Sequence, residues 1–201
     1  MEKNLNDRNT PNYRLPNDLL LETPFWAFSL SLWKNQAAQT ALLSLQNDMG
    51  LVVNRLLFCS WLGFERRELL TEAMFQDDLL SQWHEQSVAT LRALRNTLKI
   101  AAPLQSQLIA SVQNAELQAE QIEQALLFQR VEQLSQATTK RNTLETLSFN
   151  LLSYTQRALN ESKQAFQASL INPHLITLIQ AAIPNHDRSH IEAYFHEGKK
   201  I

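Results

Sequence analysis

The sequence predicts an all-α protein, built as a multi-helix bundle with a buried central helix and a long helical hairpin. First, its 201 residues include only three glycines and six prolines, too few for the turns of an all-β architecture. Second, apolar residues recur at spacings of three and four along much of the chain, which is the period of an amphipathic helix. Third, Leu, Ala, Gln and Glu, which favour helices, are abundant.

The central helix is expected within residues 23–64, which hold three of the four tryptophans and the only cysteine. In this segment the stretch from Val52 to Leu62 is apolar except for Asn54, Arg55 and Ser60. A helix that is apolar almost all round is normally buried. We therefore predict that this third helix lies at the centre of the bundle and ends at the glycine that follows it, Gly63.

Two helices precede the central one. Thr23 is a favourable N-cap, and Pro24 suits the first helical position, so a first helix is predicted from there to about Trp33. A second helix begins after Asn35 and ends at Gly50, where a left-handed residue can terminate it.

The remaining helices are predicted from periodicity and from proline positions. We expect a short helix over 65–75, a helix over 79–99 capped by Asp77 or Asp78, and a long Gln-rich helix from 104 to 135. Its predicted buried edge includes Ala119 and Leu126. Because Pro103 separates the last two helices, they should fold back as an antiparallel hairpin. Further helices are expected over 144–159 and 163–171, with Pro173 and Pro184 cutting the remainder into short pieces.

Composition divides the chain into three parts. Residues 1–22 are rich in Asn and interrupted by Pro11 and Pro16, which predicts a flexible N-terminal arm. Residues 23–160 form the helical domain. Residues 161–201 form a C-terminal helical extension, packed on the domain or trailing it.

Charge and motifs exclude several functional classes. With 18 basic and 20 acidic residues, the chain has no net field that would attract nucleic acid. No run of about 18 apolar residues predicts a membrane span, and the N-terminus lacks the apolar segment of a secretory signal. The single cysteine, Cys59, fits a reduced, cytoplasmic setting. No phosphate loop, nucleophile elbow or zinc-protease motif is present, so no cofactor and no catalytic residue is predicted.

Asn54 and Arg55 are the first candidate site residues, because polar groups in a dry interior must find partners. One hypothesis is a structural hydrogen bond to a helix end or to an acidic side chain, with Glu116 and Glu120 as candidates. The other is that the pair lines a ligand pocket.

Arg92, Arg95 and Lys99 lie three and four residues apart and could bind an anion, because guanidinium groups match carboxylate and phosphate. In the predicted hairpin, however, Glu116 and Glu120 of the following helix would lie level with these basic residues and could pair with them. Three hypotheses stay open: a structural ladder of ion pairs, a ligand or partner site, and a solvated face.

His186 and His190 are weak metal candidates. Their i, i+4 spacing would place both on one side of a helix, but two imidazoles make an incomplete site. No metal is therefore predicted.

Four segments resemble, in order and at similar spacing, the motifs of a family of small proteobacterial cytosolic proteins, the domain-of-unknown-function family 2390. The segments are FWAFSLSLW, LSLQNDMGLVVNRLLFCSWLG, WHEQSVATLRALRNTLK and AELQAEQIEQ, and the resemblance covers roughly residues 21–154. The chain departs from the family's usual Pro-Gly turn at Asn35 and Gln36. The resemblance implies a helical, cytoplasmic bacterial protein and brings no reaction, cofactor or partner.

The sequence thus favours a non-catalytic binding or adaptor protein that acts through protein–protein contacts. The alternative is a small-molecule-binding or enzymatic bundle with an anion-binding pocket near Asn54, Arg92 and Arg95, also lined by Arg55 and Trp83. Oligomeric state stays open, because an apolar stripe that packs within one chain has the same pattern as one that packs between chains.

Overall fold

The computed structural model describes residues 13–196, apart from the side chain of His196, and confirms the all-α class. The helices, in chain order, are α1 Pro24–Lys34, α2 Gln36–Met49, α3 Val53–Phe64, α4 Thr71–Phe75, α5 Asp78–Trp83, α6 Thr90–Ala101, α7 Ser106–Gln129, α8 Val131–Leu134, α9 Thr143–Glu161, α10 Ala168–Ala182 and α11 Arg188–His196. A π-helical segment, His84–Ala89, joins α5 to α6 without a break. Two short strands, β1 Arg67–Leu69 and β2 Ser135–Ala137, pair antiparallel.

The predicted central helix is α3, in which every residue from Val53 to Gly63 is buried. It packs most extensively on α9 and also contacts α1, α2, α7 and α10. Phe58 contacts Phe25 of α1 edge to face, with ring centroids 5.3 Å apart. A helix without a polar face has nowhere to meet water, so its neighbours enclose it on all sides.

The two glycines of this region have different roles. Gly50 ends a helix, whereas Gly63 allows two helices to pack closely. Gly50 follows α2 with φ 70°, the left-handed C-cap that the sequence predicts. The prediction that Gly63 ends the central helix is wrong, because α3 continues through it to Phe64. A Cβ at Gly63 would lie 2.6 Å from the Cα of Leu147, so glycine lets α3 and α9 approach closely.

The helix predicted over 65–75 is only partly present. Residues Arg67–Leu69 form β1, and the helical part is α4. Asn150 of α9 holds the strand, because its Oδ1 accepts from the Leu69 backbone N at 2.8 Å and its Nδ2 donates to the Arg67 carbonyl at 2.8 Å. These partners are distant in sequence, so local periodicity does not reveal them.

The hairpin on either side of Pro103 is present, with α6 and α7 packed against each other. Asp77 is the cap of α5, its side chain accepting from the Leu80 backbone N at 3.0 Å. The long helix ends at Gln129 rather than at Ser135, because the chain turns there into α8 and then pairs as β2.

The C-terminal predictions need correction. Lys163 takes a left-handed conformation with φ 57°, so no helix starts there, and α10 instead runs through Pro173. Because Pro173 lies within the first two turns of α10, the lost backbone hydrogen bond is outweighed by burial of the following apolar residues against α2. The end of the predicted extension, 197–201, lies outside the described residues.

Part of the predicted N-terminal arm, residues 13–22, lies along α7. Leu15 and Leu19 pack against the core, and Gln121 donates to Glu22 at 3.0 Å. Residues 1–12 lie outside the described part, and the flexibility of the arm stays a prediction. Within 13–196, no helix is long and apolar enough to cross a membrane.

Candidate functional site

The polar pair in the central helix is bound to a buried carboxylate. The Nδ2 atom of Asn54 donates to Glu123 Oε2 at 2.7 Å, and Arg55 Nε lies 3.6 Å from Glu123 Oε1. Glu123 is fully buried. The acidic partner expected from the sequence is therefore present, but it is neither of the two candidates: Glu120 contributes only its backbone carbonyl to Asn54, at 3.2 Å.

His84 completes this cluster from the other side. Its Nδ1 lies 3.2 Å from Glu123 Oε1 and 3.3 Å from Glu123 Oε2. His84 is the first residue of the π-helical segment, and such segments are frequent at functional sites. Sequence reasoning did not include His84 in any site, because its partner is 39 residues away on another helix.

The charge of Glu123 is stabilised where it is buried. Burial alone would raise the pKa of the Glu123 carboxyl, but the hydrogen bond and charge of His84, the charge of Arg55 and the hydrogen bond from Asn54 outweigh it. The pKa of Glu123 is consequently lowered from its ordinary value of 4.5. The cluster is thus an ionic network that links α3, α7 and the π-helical segment.

A second set of charges joins the two helices of the hairpin. Arg92 Nε donates to Glu116 Oε1 at 2.9 Å, and Arg92 Nη2 donates to Glu120 Oε1 at 2.6 Å. Arg95 binds Glu116 in a two-pronged manner through Nε and Nη2. The ion pairs expected from the sequence are confirmed. Lys99, the third member of the predicted basic set, lies exposed near the end of α6.

The two carboxylates of this ladder differ. The pKa of Glu116 is lowered, because hydrogen bonds and charges from Arg95 and Arg92 outweigh its burial. The pKa of Glu120 is raised, because burial and the neighbouring charges of Glu116 and Glu123 outweigh the attraction of Arg92. Glu120 is therefore the carboxylate of the ladder that takes up a proton most readily.

A partly open cavity of about 410 Å³ lies between the hairpin and the first three helices. Its apolar lining consists of Trp26, Leu30, Trp33, Leu43, Val53, Leu57 and Leu117. Its polar lining includes Asn54, Gln124 and the four charged residues of the ladder. Three of the five predicted ligand residues, Asn54, Arg92 and Arg95, thus meet at one cavity, and their role in binding stays a prediction.

The other two predicted ligand residues point elsewhere. Arg55 Nη1 donates to the Met74 carbonyl at 3.4 Å, in addition to facing Glu123. The indole N–H of Trp83 donates to the Ala119 carbonyl at 2.9 Å. Neither residue belongs to the lining of the cavity.

Three further side chains of the cavity carry buried polar atoms with no hydrogen-bond partner among the described residues. They are the hydroxyl of Ser29, the amide nitrogen of Gln46 and the amide oxygen of Gln124. Such atoms are uncommon in native interiors. Nothing in the sequence pattern distinguishes these residues from ordinary polar residues of amphipathic helices.

Cys59 and the two candidate metal ligands show no catalytic or metal-binding arrangement. Burial raises the pKa of the Cys59 thiol, so it stays protonated and is a poor nucleophile. Helix α11 begins at Arg188, so His186 precedes it and the helical i, i+4 geometry with His190 is not formed. Within residues 13–196, no group of three or more His, Cys, Asp or Glu side chains is placed to hold a metal ion.

Reversing both charges on α6, with Arg92→Glu and Arg95→Glu, should lower the free energy of unfolding by about 2 kcal/mol. This loss lies between those typical of exposed ion pairs and of buried ion pairs. The variant would place four carboxylates across the hairpin, with Glu116 almost fully buried. Thermal unfolding measures the effect, and adding Glu116→Arg and Glu120→Arg should restore part of the loss. An unchanged melting temperature in the first variant would contradict a structural role for the ladder.

The fold and the site define an all-α protein with a mainly apolar cavity, lined by a few polar and charged side chains, beside a buried ionic network. A family model described as "Protein of unknown function (DUF2390)" matches residues 24–127, just over half of the chain. The chain belongs to this family, as its motifs indicated, and every residue that lines the cavity falls within the matched segment. No curated protein and no solved structure gives a significant match.

Proposed function

We propose that the protein is a non-catalytic binding protein that holds a small molecule in the cavity beside α3. The observation that carries this proposal is the cavity itself, because its volume of about 410 Å³ falls in the range of small-molecule sites. A free, buried cysteine supports a reduced, cytoplasmic setting for this activity.

The lining of the cavity suits an amphipathic ligand. It includes Trp26 and Trp33, which offer large rigid surfaces for an apolar group. It also includes Arg92 and Arg95, which can orient a polar group. Binding sites commonly combine a mainly apolar lining with a few placed polar groups.

Filling the cavity mouth tests the proposal. Leu117 lines the cavity and is 51% exposed, so Leu117→Trp should occupy the mouth without unfolding the protein. Leu104→Trp is the matched control, because Leu104 belongs to the same hairpin, is 91% exposed and lies outside the cavity lining. In a screen of aromatic and aliphatic fragments by ligand-observed NMR, we expect L117W to lose affinity by about tenfold or more and L104W to bind as the wild type does. The proposal fails if no fragment binds the wild type, or if L117W binds equally well.

A second candidate function is protein binding through the tip of the hairpin. Ile100 and Leu104 are 84% and 91% exposed there and are the two most exposed large apolar side chains among the described residues. Photo-crosslinking from Ala101 in cells measures this contact. The double variant Ile100→Ser and Leu104→Ser should then lose any crosslinked partner while L117W keeps it. Unchanged crosslinking in the double variant would reject the tip as the contact.

A further inference from the structure

We infer that the cavity binds a small aromatic monoanion, whose charged group takes the place of the Glu120 carboxylate beside Arg92 while Glu120 takes up a proton from solvent. This inference rests on the proposed function of the cavity as a small-molecule site. It goes beyond that function by naming the class of ligand and the proton exchange that accompanies binding.

The charge balance of the cavity lining favours proton uptake when an anion binds. All of its charged residues lie on the hairpin, namely Arg92 and Arg95 on α6 and Glu116 and Glu120 on α7, whereas α1, α2 and α3 line it with uncharged residues. The ladder is formally neutral, so an added anion would leave an uncompensated negative charge in a partly dry site. Protonation of one carboxylate restores the balance.

The contacts of the two carboxylates indicate which of them gives up its place to the ligand. Glu116 accepts hydrogen bonds from both guanidinium groups, and its side chain is only 7% exposed. Glu120 accepts one side-chain hydrogen bond, from Arg92, and its side chain is 26% exposed. Glu120 is therefore less tightly held and easier to reach from the cavity.

The surroundings of Glu120 also favour its neutral form. Glu116 and Glu123 on its own helix are negatively charged, whereas Arg92 and Arg95 on α6 are positive. Burial and the two carboxylates together outweigh the attraction of Arg92, so that the pKa of Glu120 is raised. Arg55 and His84 contact Glu123 rather than Glu120.

The guanidinium groups of the ladder have hydrogen-bond donors to spare for a ligand. Arg92 and Arg95 each use Nε and Nη2 in the ladder, and their Nη1 groups make no hydrogen bond within the described residues. Once Glu120 is protonated and displaced, Arg92 Nη2 is released as well. Adjacent nitrogens of one guanidinium group can then bind an oxyanion in a two-pronged manner.

The apolar part of the ligand follows from the rest of the lining. The cavity that the guanidinium groups line is also lined by Trp26 and Trp33 of α1 and by leucines of α2 and α3. Aromatic rings stack favourably on indole rings in offset or edge-to-face arrangements. A ligand with a ring system at one end and a single negative charge at the other fits both parts of this lining.

A matched pair of fluorescent probes tests the inference. The anion 1-anilinonaphthalene-8-sulfonate and neutral N-phenyl-1-naphthylamine share their ring system, and the sulfonate stays ionised throughout the measured range. For the wild type we expect the Kd of the anionic probe to rise by up to about tenfold per pH unit above the pKa of Glu120, because binding then requires proton uptake. The neutral probe should show no such dependence.

The variant Glu120→Gln is an isosteric substitute for the protonated side chain. It should bind the anionic probe at about pH 8 as tightly as the wild type binds it at the acidic limit of its own pH profile, with the pH dependence removed. The pKa of Glu120 is raised in the folded state, so its protonated form stabilises the fold. This stabilisation is fully present below the pKa of the unfolded state and is lost as pH rises through the pKa of the folded state. The variant should accordingly melt no lower than the wild type at neutral pH, which checks that it folds.

The possible outcomes separate the inference from the function on which it rests. If neither probe binds the wild type, the proposed function and the inference both fail. If L117W weakens both probes but anion binding does not depend on pH, or E120Q binds as the wild type does, only the inference fails. If L117W leaves binding of the anionic probe unchanged, that probe binds elsewhere and the inference is overturned.

Discussion

Replacing Glu123 by Gln is expected to lower the free energy of unfolding by about 3 to 5 kcal/mol, the usual loss when one partner of a buried ion pair is removed. Glutamine has nearly the same shape, so packing is preserved. However, it carries no charge to balance Arg55, whose side chain is 8% exposed. It also provides only one oxygen, whereas Asn54 and His84 both donate toward the Glu123 carboxylate.

Urea unfolding of the purified protein measures this loss. Glu85→Gln is the matched control, because Glu85 is exposed on the neighbouring π-helical segment and should change stability by no more than about 0.5 kcal/mol. A second variant, Arg55→Met combined with Glu123→Leu, removes both charges and should recover much of the stability. A loss below about 1 kcal/mol in E123Q would show that the buried network does not stabilise the fold.

We expect the loss of stability in E123Q to depend on pH. The folded-state pKa of Glu123 lies below its ordinary value of 4.5. Its contribution to stability is therefore present above that value and is lost as pH falls through the folded-state pKa. The difference in stability between wild type and E123Q should shrink in acid, and a difference that stays constant down to about pH 3 would contradict the assignment.

Replacing Gly63 by Ala should destabilise the protein by about 3 kcal/mol, at the upper end of overpacking effects. The added Cβ would lie 2.6 Å from the Cα of Leu147, and a backbone atom cannot turn aside as a side chain can. Helices α3 and α9 must then separate along the most extensive contact in the molecule. At an exposed helical position the same change would stabilise by roughly 0.5 to 1 kcal/mol, so the sign of the effect is itself informative.

Gly50→Ala is the control for this variant. Gly50 has no heavy atom within 4 Å of its ideal Cβ, but its φ of 70° is unfavourable for alanine. We expect a loss of about 1 to 2 kcal/mol from that local strain. Thermal or urea unfolding of both variants compares the two causes, and the packing argument is wrong if G63A is no less stable than G50A.

The buried network is only partly predictable from the sequence. Asn54 and Arg55 interrupt an apolar helix, which predicts an acidic partner for them. The sequence prediction names Glu116 and Glu120 rather than Glu123, although Glu123 follows Ala119 by four residues and precedes Leu126 by three, on the predicted buried edge of α7. That spacing was an available signal for a buried carboxylate.

The cavity and the strand pair offered no such signal. β1 depends on Asn150, which is 81 residues away from Leu69, and on pairing with β2. The cavity arises where α1, α2, α3 and the hairpin leave a gap, and no single segment contains its outline. Asn54, Arg92 and Arg95 were grouped as a pocket because of their chemistry, whereas Trp26, Ser29 and Gln124 joined them only through packing.

The sequence by itself determined the all-α class, the cap of α1 at Thr23, the left-handed end of α2 at Gly50, the central helix and the helical hairpin. These features depend on interactions between residues a few positions apart, or on apolar patterns that repeat along one helix. Only the tertiary structure decided the partner of Arg55, the close approach at Gly63, the strand pair and the cavity. Each of these depends on how distant segments pack, and the free energy of that packing is not encoded in any local pattern.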